Sequence, residues 1–151
     1  MDNTTSFIPV NVPYVVAEVA AAVAAYDRAV ADNDTFLLRS LVWQAPCAIR
    51  YGVDGERDAS AETDELHAGS AFAGAAIAAR STLITSFGHH YATVNTEFTY
   101  KNSDLRGRRT VVWAKVGPDS QPEAGLHGGW RIVASHDSVV FGNRAPGSTD
   151  R

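Results

Sequence analysis

The hydrophobic period changes partway along this chain, and that change limits the fold more than any single motif does. In the first third, Val16, Val19, Val23, Tyr26 and Val30 recur at spacings of three and four, which predicts an amphipathic helix. Pro13 suits its first turn. Asp32-Asn33-Asp34 stops it, and Asp34 is placed to cap a shorter second helix through Phe36, Leu37 and Leu41. "APCAIRYG" then reads as a short strand. The alanine-rich stretch 68–81, with Phe72, Ala76 and Ile77 toward the core, predicts a third helix. From Ser81 the period is two. Residues 81–100 read as two strands around Phe87-Gly88, 108–116 as another, and 129–141 as a last strand after a Gly- and Pro-rich hairpin loop. Helices first and antiparallel strands after imply an α+β fold, with three helices packed on one face of a curved, mostly antiparallel sheet.

A chain of 151 residues, 45% of them apolar, is long enough for one core. A single domain over 12–142 is expected, with a flexible or draped arm at 1–11 and a disordered tail at 143–151. The acidic segment 54–65 reads as a solvated loop. The net charge of −4 argues against nucleic acid or an anionic membrane as partner, but leaves room for a small anionic substrate held by local positive charge. The single cysteine, Cys47, excludes an internal disulfide and fits a reducing compartment. It reads as a buried small hydrophobe. No CxxC, HExxH or acidic ligand set at metal spacing is present, so no metal site is expected. The N-terminus lacks the pattern of a signal peptide and no apolar run has membrane-spanning length, which points to a cytoplasmic protein.

One residue stands out within the short strand. Arg50 lies between the strand formers Ile49 and Tyr51, and a guanidinium cannot shed its charge when buried. It faces solvent, pairs with Glu97 or Asp137, or awaits an anionic ligand. On the last strand, strict alternation puts Trp130, Ile132, Ala134, His136 and Ser138 on one face and Arg131, Val133, Ser135 and Asp137 on the other. His136 either shuttles a proton or is satisfied by a backbone carbonyl. Tyr26 lies on the apolar stripe of the first helix. Asn95 and Glu97 share a face of their strand, turned either to a cavity or to water. Arg80 would close the third helix, where a cation is favoured in any case.

The order of these segments resembles the NTF2-like, SnoaL-type cone, and within it the AtzH-like group. The likeness is carried by "YDRAVADND" (26–34), "IRYG" (49–52), "AAR" (78–80), "YATVNTEF" (91–98), "GRRTVVW" (107–113) and "GWRIVASHDS" (129–138). This resemblance implies a cone with an internal cavity. It implies a cofactor-independent amidohydrolase, the group including an enzyme that turns a dicarboxylated urea into allophanate. A helix tyrosine and a first-strand arginine are the group's key pair, and they map onto Tyr26 and Arg50. With His136 they form the expected catalytic set. Arg80, Asn95, Glu97, Arg108, Trp113 and Ser138 are the expected substrate contacts, and a homodimer is expected through strand faces carrying Trp113 or Val133. The group usually reads Gly-Arg-Gln-Ser-Gln-Thr-Trp where this chain has Gly107-Arg108-Arg109-Thr110-Val111-Val112-Trp113. A polar position has become Val111, which suits an apolar cavity. Two other readings therefore stand beside the hydrolase: a proton-transfer isomerase, cyclase or dehydratase, and a non-catalytic ligand-binding module.

Overall fold

A computed structural model describes residues 6–52, 57–59, 77–101, 104–116 and 126–140. Helix α1 spans Pro13–Asp32, with Pro13 in its first turn. It ends at Asn33, whose left-handed backbone (φ 51°) lets the chain turn sharply. Helix α2, Thr35–Leu41, begins on the Asp34 carboxylate, which accepts a hydrogen bond from the Leu37 amide at 3.0 Å. The buried stripe of α1 is Val15, Val19, Ala22, Ala25, Tyr26 and Ala29, mostly three or four apart. The alanines in it allow close approach to the sheet.

Six strands follow: β1 (Ile49–Tyr51), β2 (Arg57–Ala59), β3 (Ile77–Phe87), β4 (Tyr91–Tyr100), β5 (Arg106–Lys115) and β6 (Trp130–Val140). A 3₁₀ turn, Leu126–Gly129, leads into β6. The sheet order is β2-β1-β6-β5-β4-β3. Every neighbouring pair is antiparallel except β1 with β6, so the sheet is mixed. The core lies between α1, α2 and one face of this sheet, and includes Leu38, Leu41, Val94, Trp113, Trp130 and Ile132. Each fully buried aliphatic or aromatic side chain there stabilises the fold by about 1.5–3 kcal/mol.

Two elements differ from the sequence expectation. Ile77–Arg80, expected to finish a third helix, are the first residues of β3, pairing with β4 from Ile77↔Tyr100 onward. Residues 68–76 of that expected helix lie outside the described residues. β2 forms within the segment read as an acidic loop, because Arg57–Ala59 complete a short antiparallel ladder with β1. At the N-terminus the chain drapes along the sheet edge. Val10 bridges Phe87, Asn11 exchanges two 3.0 Å hydrogen bonds with Ser86, and Gly88 N–H donates to the Pro9 carbonyl at 2.7 Å. Among the described residues no helix is long and apolar enough to cross a membrane.

A bulge in β6 decides which side chains reach the concave, helix-covered face. Trp113 pairs with Ile132, but Val112 pairs with Ala134, so Val133 has no opposite number. The extra residue flips the alternation. Before it, Trp130 and Ile132 face the core. After it, Ser135 and Asp137 share the face of Val111 and Arg109, their ladder partners. Ala134, His136 and Ser138 turn to the convex face.

Candidate functional site

The concave face collects charge where it meets the middle of α1. Tyr26, 5% exposed, projects from the buried stripe of α1. Arg50 reaches it from β1, where the parallel register sets Arg50 beside Ser135 of β6. Its Nη2 donates to the Tyr26 hydroxyl oxygen at 3.3 Å. The "YDRAV" segment of α1 and the "IRYG" strand thus bring a phenol and a guanidinium to one place. The phenolic oxygen accepts from Arg50, so its own O–H remains a donor.

Two ion pairs flank this couple. Arg80 Nη1 lies 2.6 Å from Asp27 Oδ2, joining β3 to α1. Arg109 grips Asp137 with both donors of its fork, Nε to Oδ1 at 2.7 Å and Nη2 to Oδ2 at 3.1 Å. Both guanidiniums lie over the Phe98 ring, at 5.2 Å for Arg80 and 5.5 Å for Arg109. Gly107 leaves the room that this ring and Tyr100 occupy. A Cβ there would come within 2.7 Å of Tyr100 Oη and 3.3 Å of Phe98.

The electrostatics follow from this packing. Burial works against the Arg109 charge, but Tyr26, Asp137 and Asp27 together outweigh it and raise its pKa above the ordinary arginine range. Burial pushes the Asp27 carboxyl up, and Arg80 and Arg109 offset only part of that rise. The cavity between these groups has an apolar floor that includes Val23, Val94, Val111 and Ile132. Its volume is about 20 Å³, room for roughly one water. Counting the space that opens to solvent, the cleft is about 330 Å³.

A far roomier cleft, about 350 Å³ against about 20 Å³ for the first, runs along the other side of the sheet, past Ser81, Leu83, Asn95, Glu97, Arg108 and Thr110. It is the weaker candidate, because its polar groups are exposed and satisfy one another. Arg108 pairs with Glu97 at 3.0 Å, and Thr110 donates to Asn95 at 2.7 Å.

The expected site residues divide between the two faces. Tyr26, Arg50, Arg80 and Trp113 belong to the concave face. Asn95, Glu97, Arg108, His136 and Ser138 belong to the convex face, correcting their expected place in the cavity. His136 sits opposite Thr110 and packs edge-on against Tyr51, ring centroids 5.7 Å apart. The Val133 bulge is the reason, and it puts Asp137 where alternation would put His136. For Asn95, Glu97 and Arg108 the reason is phase: Val94, Phe98, Val111 and Trp113 are buried, and each of the three is one step out of register with them. That signal was present in the sequence, and it also points to Arg109, which shares the phase of Val111 and Trp113. Neither Glu97 nor Asp137 takes Arg50, since each holds another arginine. Arg80 acts from a strand rather than from a helix end. Trp113 is 1% exposed, so it supplies no dimer surface. Cys47, read as buried, is exposed.

The AtzH-like family profile matches residues 8–142. A protein of unknown function from Pectobacterium atrosepticum is 36% identical over 89% of this chain and 99% of its own, with a TM-score of 0.70. A cystatin-like fold protein from Burkholderia xenovorans is 33% identical, covering 90% and 99% of the two chains at a TM-score of 0.67. An NTF2-like superfamily protein from Salmonella enterica matches at 19% identity, 91% and 98% coverage and a TM-score of 0.56, a likeness of fold. No curated protein matches.

Proposed function

Since the chain belongs to the AtzH-like family and has the NTF2-like fold, we propose that it hydrolyses a C–N bond in a small carboxylated urea or amide. Membership supports the coarser statement, that this is a small-molecule-binding NTF2-like protein. The hydrolase reading rests on one observation above the others: Tyr26 and Arg50 meet at 3.3 Å inside the concave face.

In this reading Arg50 holds the substrate carboxylate, for which a planar guanidinium fork is well shaped. Water adds its oxygen to the carbonyl carbon. Asp27, whose carboxyl is pushed up by burial and lines the same cavity, takes the proton that water loses. The Tyr26 hydroxyl first donates to the developing oxyanion. As the C–N bond breaks, it passes its proton to the departing nitrogen, and the proton taken up by Asp27 returns to the phenolate, restoring both groups. The two ion pairs hold the surrounding side chains in place, so little reorganisation is needed during reaction. No covalent nucleophile is required. A proton-transfer isomerase or lyase is the second reading, favoured by the apolar floor that includes Val94, Val111 and Ile132.

The test is turnover. Purified protein is incubated with a panel of carboxylated ureas and amides, and both ammonia and carbon dioxide release are followed, since a terminal amide yields the first and an N-carboxyl group the second. Release that is lost in both Arg50→Ala and Tyr26→Phe supports the hydrolase. Absence of release from folded protein across the panel, or release unchanged in both variants, overturns it.

A further inference from the structure

Arg80 and Arg109 line the cavity and Arg50 reaches its edge through the Tyr26 hydroxyl, yet little of this positive charge is to spare. Arg80 is committed to Asp27, and Arg109 is gripped by both oxygens of Asp137. To take a ligand carboxylate, Arg109 would have to loosen its bidentate grip on a carboxylate about a quarter exposed, and Arg80 would have to share or leave Asp27, so either weakens an existing pair. Arg50 differs, because its hydrogen-bond partner among the described residues is the Tyr26 hydroxyl rather than a carboxylate. Together the Arg50, Arg80 and Arg109 guanidiniums and the Asp27 and Asp137 carboxylates carry one positive charge in excess.

A second observation lies on the floor. Trp113 is 1% exposed and lines the cavity, and its indole N–H finds no acceptor among the described residues. Buried N–H groups are rarely left without a partner. A neutral carbonyl oxygen from a ligand would satisfy it without adding charge. Around it Val94, Val111 and Ile132 offer contacts only to apolar atoms.

We infer that this cavity selects a monocarboxylate, with one carboxylate on Arg50, a neutral carbonyl facing the Trp113 indole and an apolar body over the valines, and that it discriminates against dicarboxylates. The inference rests on the reading of Arg50 as a carboxylate holder, but not on any reaction. Arg109 and Asp137 are specificity-determining here: by neutralising each other they withhold the second cationic site that a dianion needs.

Calorimetric binding separates these ideas without requiring turnover. N-isovalerylglycine and N-succinylglycine share a glycine carboxylate and an amide carbonyl, and differ in an apolar tail against a second carboxylate. The wild type is expected to bind the isovaleryl compound at least about tenfold more tightly, a gap of about 1.4 kcal/mol. Asp137→Asn leaves Arg109 uncompensated and is expected to narrow or reverse that preference. Asp27→Asn frees the half-exposed Arg80 and does the same should Asp137→Asn fail to fold. Trp113→Phe is expected to weaken N-isovalerylglycine severalfold while leaving isocaproate, which lacks the amide, unchanged. A wild type that binds the dicarboxylate as well as the monocarboxylate overturns the inference, as does a preference unmoved in both aspartate variants. The register sets Asp58 of β2 opposite Arg50. Binding that emerges only in Asp58→Asn would show Arg50 already neutralised and would overturn both this inference and the carboxylate-holding reading. Normal selectivity in a protein that turns nothing over would overturn the hydrolase alone.

Discussion

The two faces of the sheet carry similar residues and put them to different use. Each has an arginine–carboxylate pair across neighbouring strands, Arg109–Asp137 on the concave side and Arg108–Glu97 on the convex. The concave pair is bidentate and about a quarter exposed, while the convex pair makes one contact and is more than half exposed. Burial changes what a charge does. On the convex face water screens the pair, and it contributes little. On the concave face charges are screened less, and the proposed site takes its ligand charge at Arg50, whose partner among the described residues is a tyrosine hydroxyl rather than a carboxylate.

The sharpest way to break this comparison is catalytic. Given an active substrate, Arg50→Ala or Tyr26→Phe is expected to lower kcat/KM by about a hundredfold or more. His136→Ala and Asn95→Ala, on the other face, are expected to leave it within about twofold. An equal loss from His136→Ala would move the site across the sheet.

The next largest contrast is in stability. Asp137→Ala leaves Arg109 partly buried and unpaired, and is expected to cost about 2–3 kcal/mol in chemical denaturation, below the ~3–5 of a fully buried pair. Glu97→Ala is expected to cost at most about 0.5 kcal/mol. Equal costs would show that the faces do not differ in screening. Gly107→Ala sharpens the picture of Phe98 as the platform under Arg80 and Arg109. It forces the Tyr100 ring to give way, for about 1–2 kcal/mol of stability.

The smallest effect concerns a pair at the edge of the core. Hydrogen bonds from Lys115 and from the Trp130 indole hold the Glu18 carboxyl below its ordinary range. A carboxyl lowered on folding contributes stability above its unfolded value, near 4.5, and that contribution is lost as pH falls through the folded value. Glu18→Gln is therefore expected to be slightly less stable than wild type at pH 7 and indistinguishable from it near pH 3, by thermal melts at both. Asp27 has the opposite sign. Its carboxyl is raised in the fold, so its ionisation opposes folding increasingly as pH rises from the unfolded value near 3.8 through the folded one.

Much of this arrangement was legible in the sequence. Helical spacing located α1, Asp34 announced the cap of α2, and the period of two located β4, β5 and β6. The meeting of Tyr26 and Arg50 was expected only through the resemblance, since a charged residue among strand formers raises a question that the residues alone leave open. Arg109 was within reach too, because it shares the phase of Val111 and Trp113 where Arg108 does not. His136 and Asp137 were not. A bulge inserts one residue without a glycine or proline to mark it, and Val133 looks like any strand valine. Ile77–Arg80 misled for a different reason: an alanine-rich run favours a helix locally, and pairing with β4 overrides that preference.

The most direct test of the concave-face site is to observe the arginines themselves. Side-chain NMR of ¹⁵N-arginine protein, with Nε resonances assigned through Arg50→Lys and Arg108→Lys, would be titrated with N-isovalerylglycine. Saturable shifts at Arg50, with Arg108 unmoved, are the expected result. Shifts at Arg108 with Arg50 silent would contradict the account and put the ligand on the convex face.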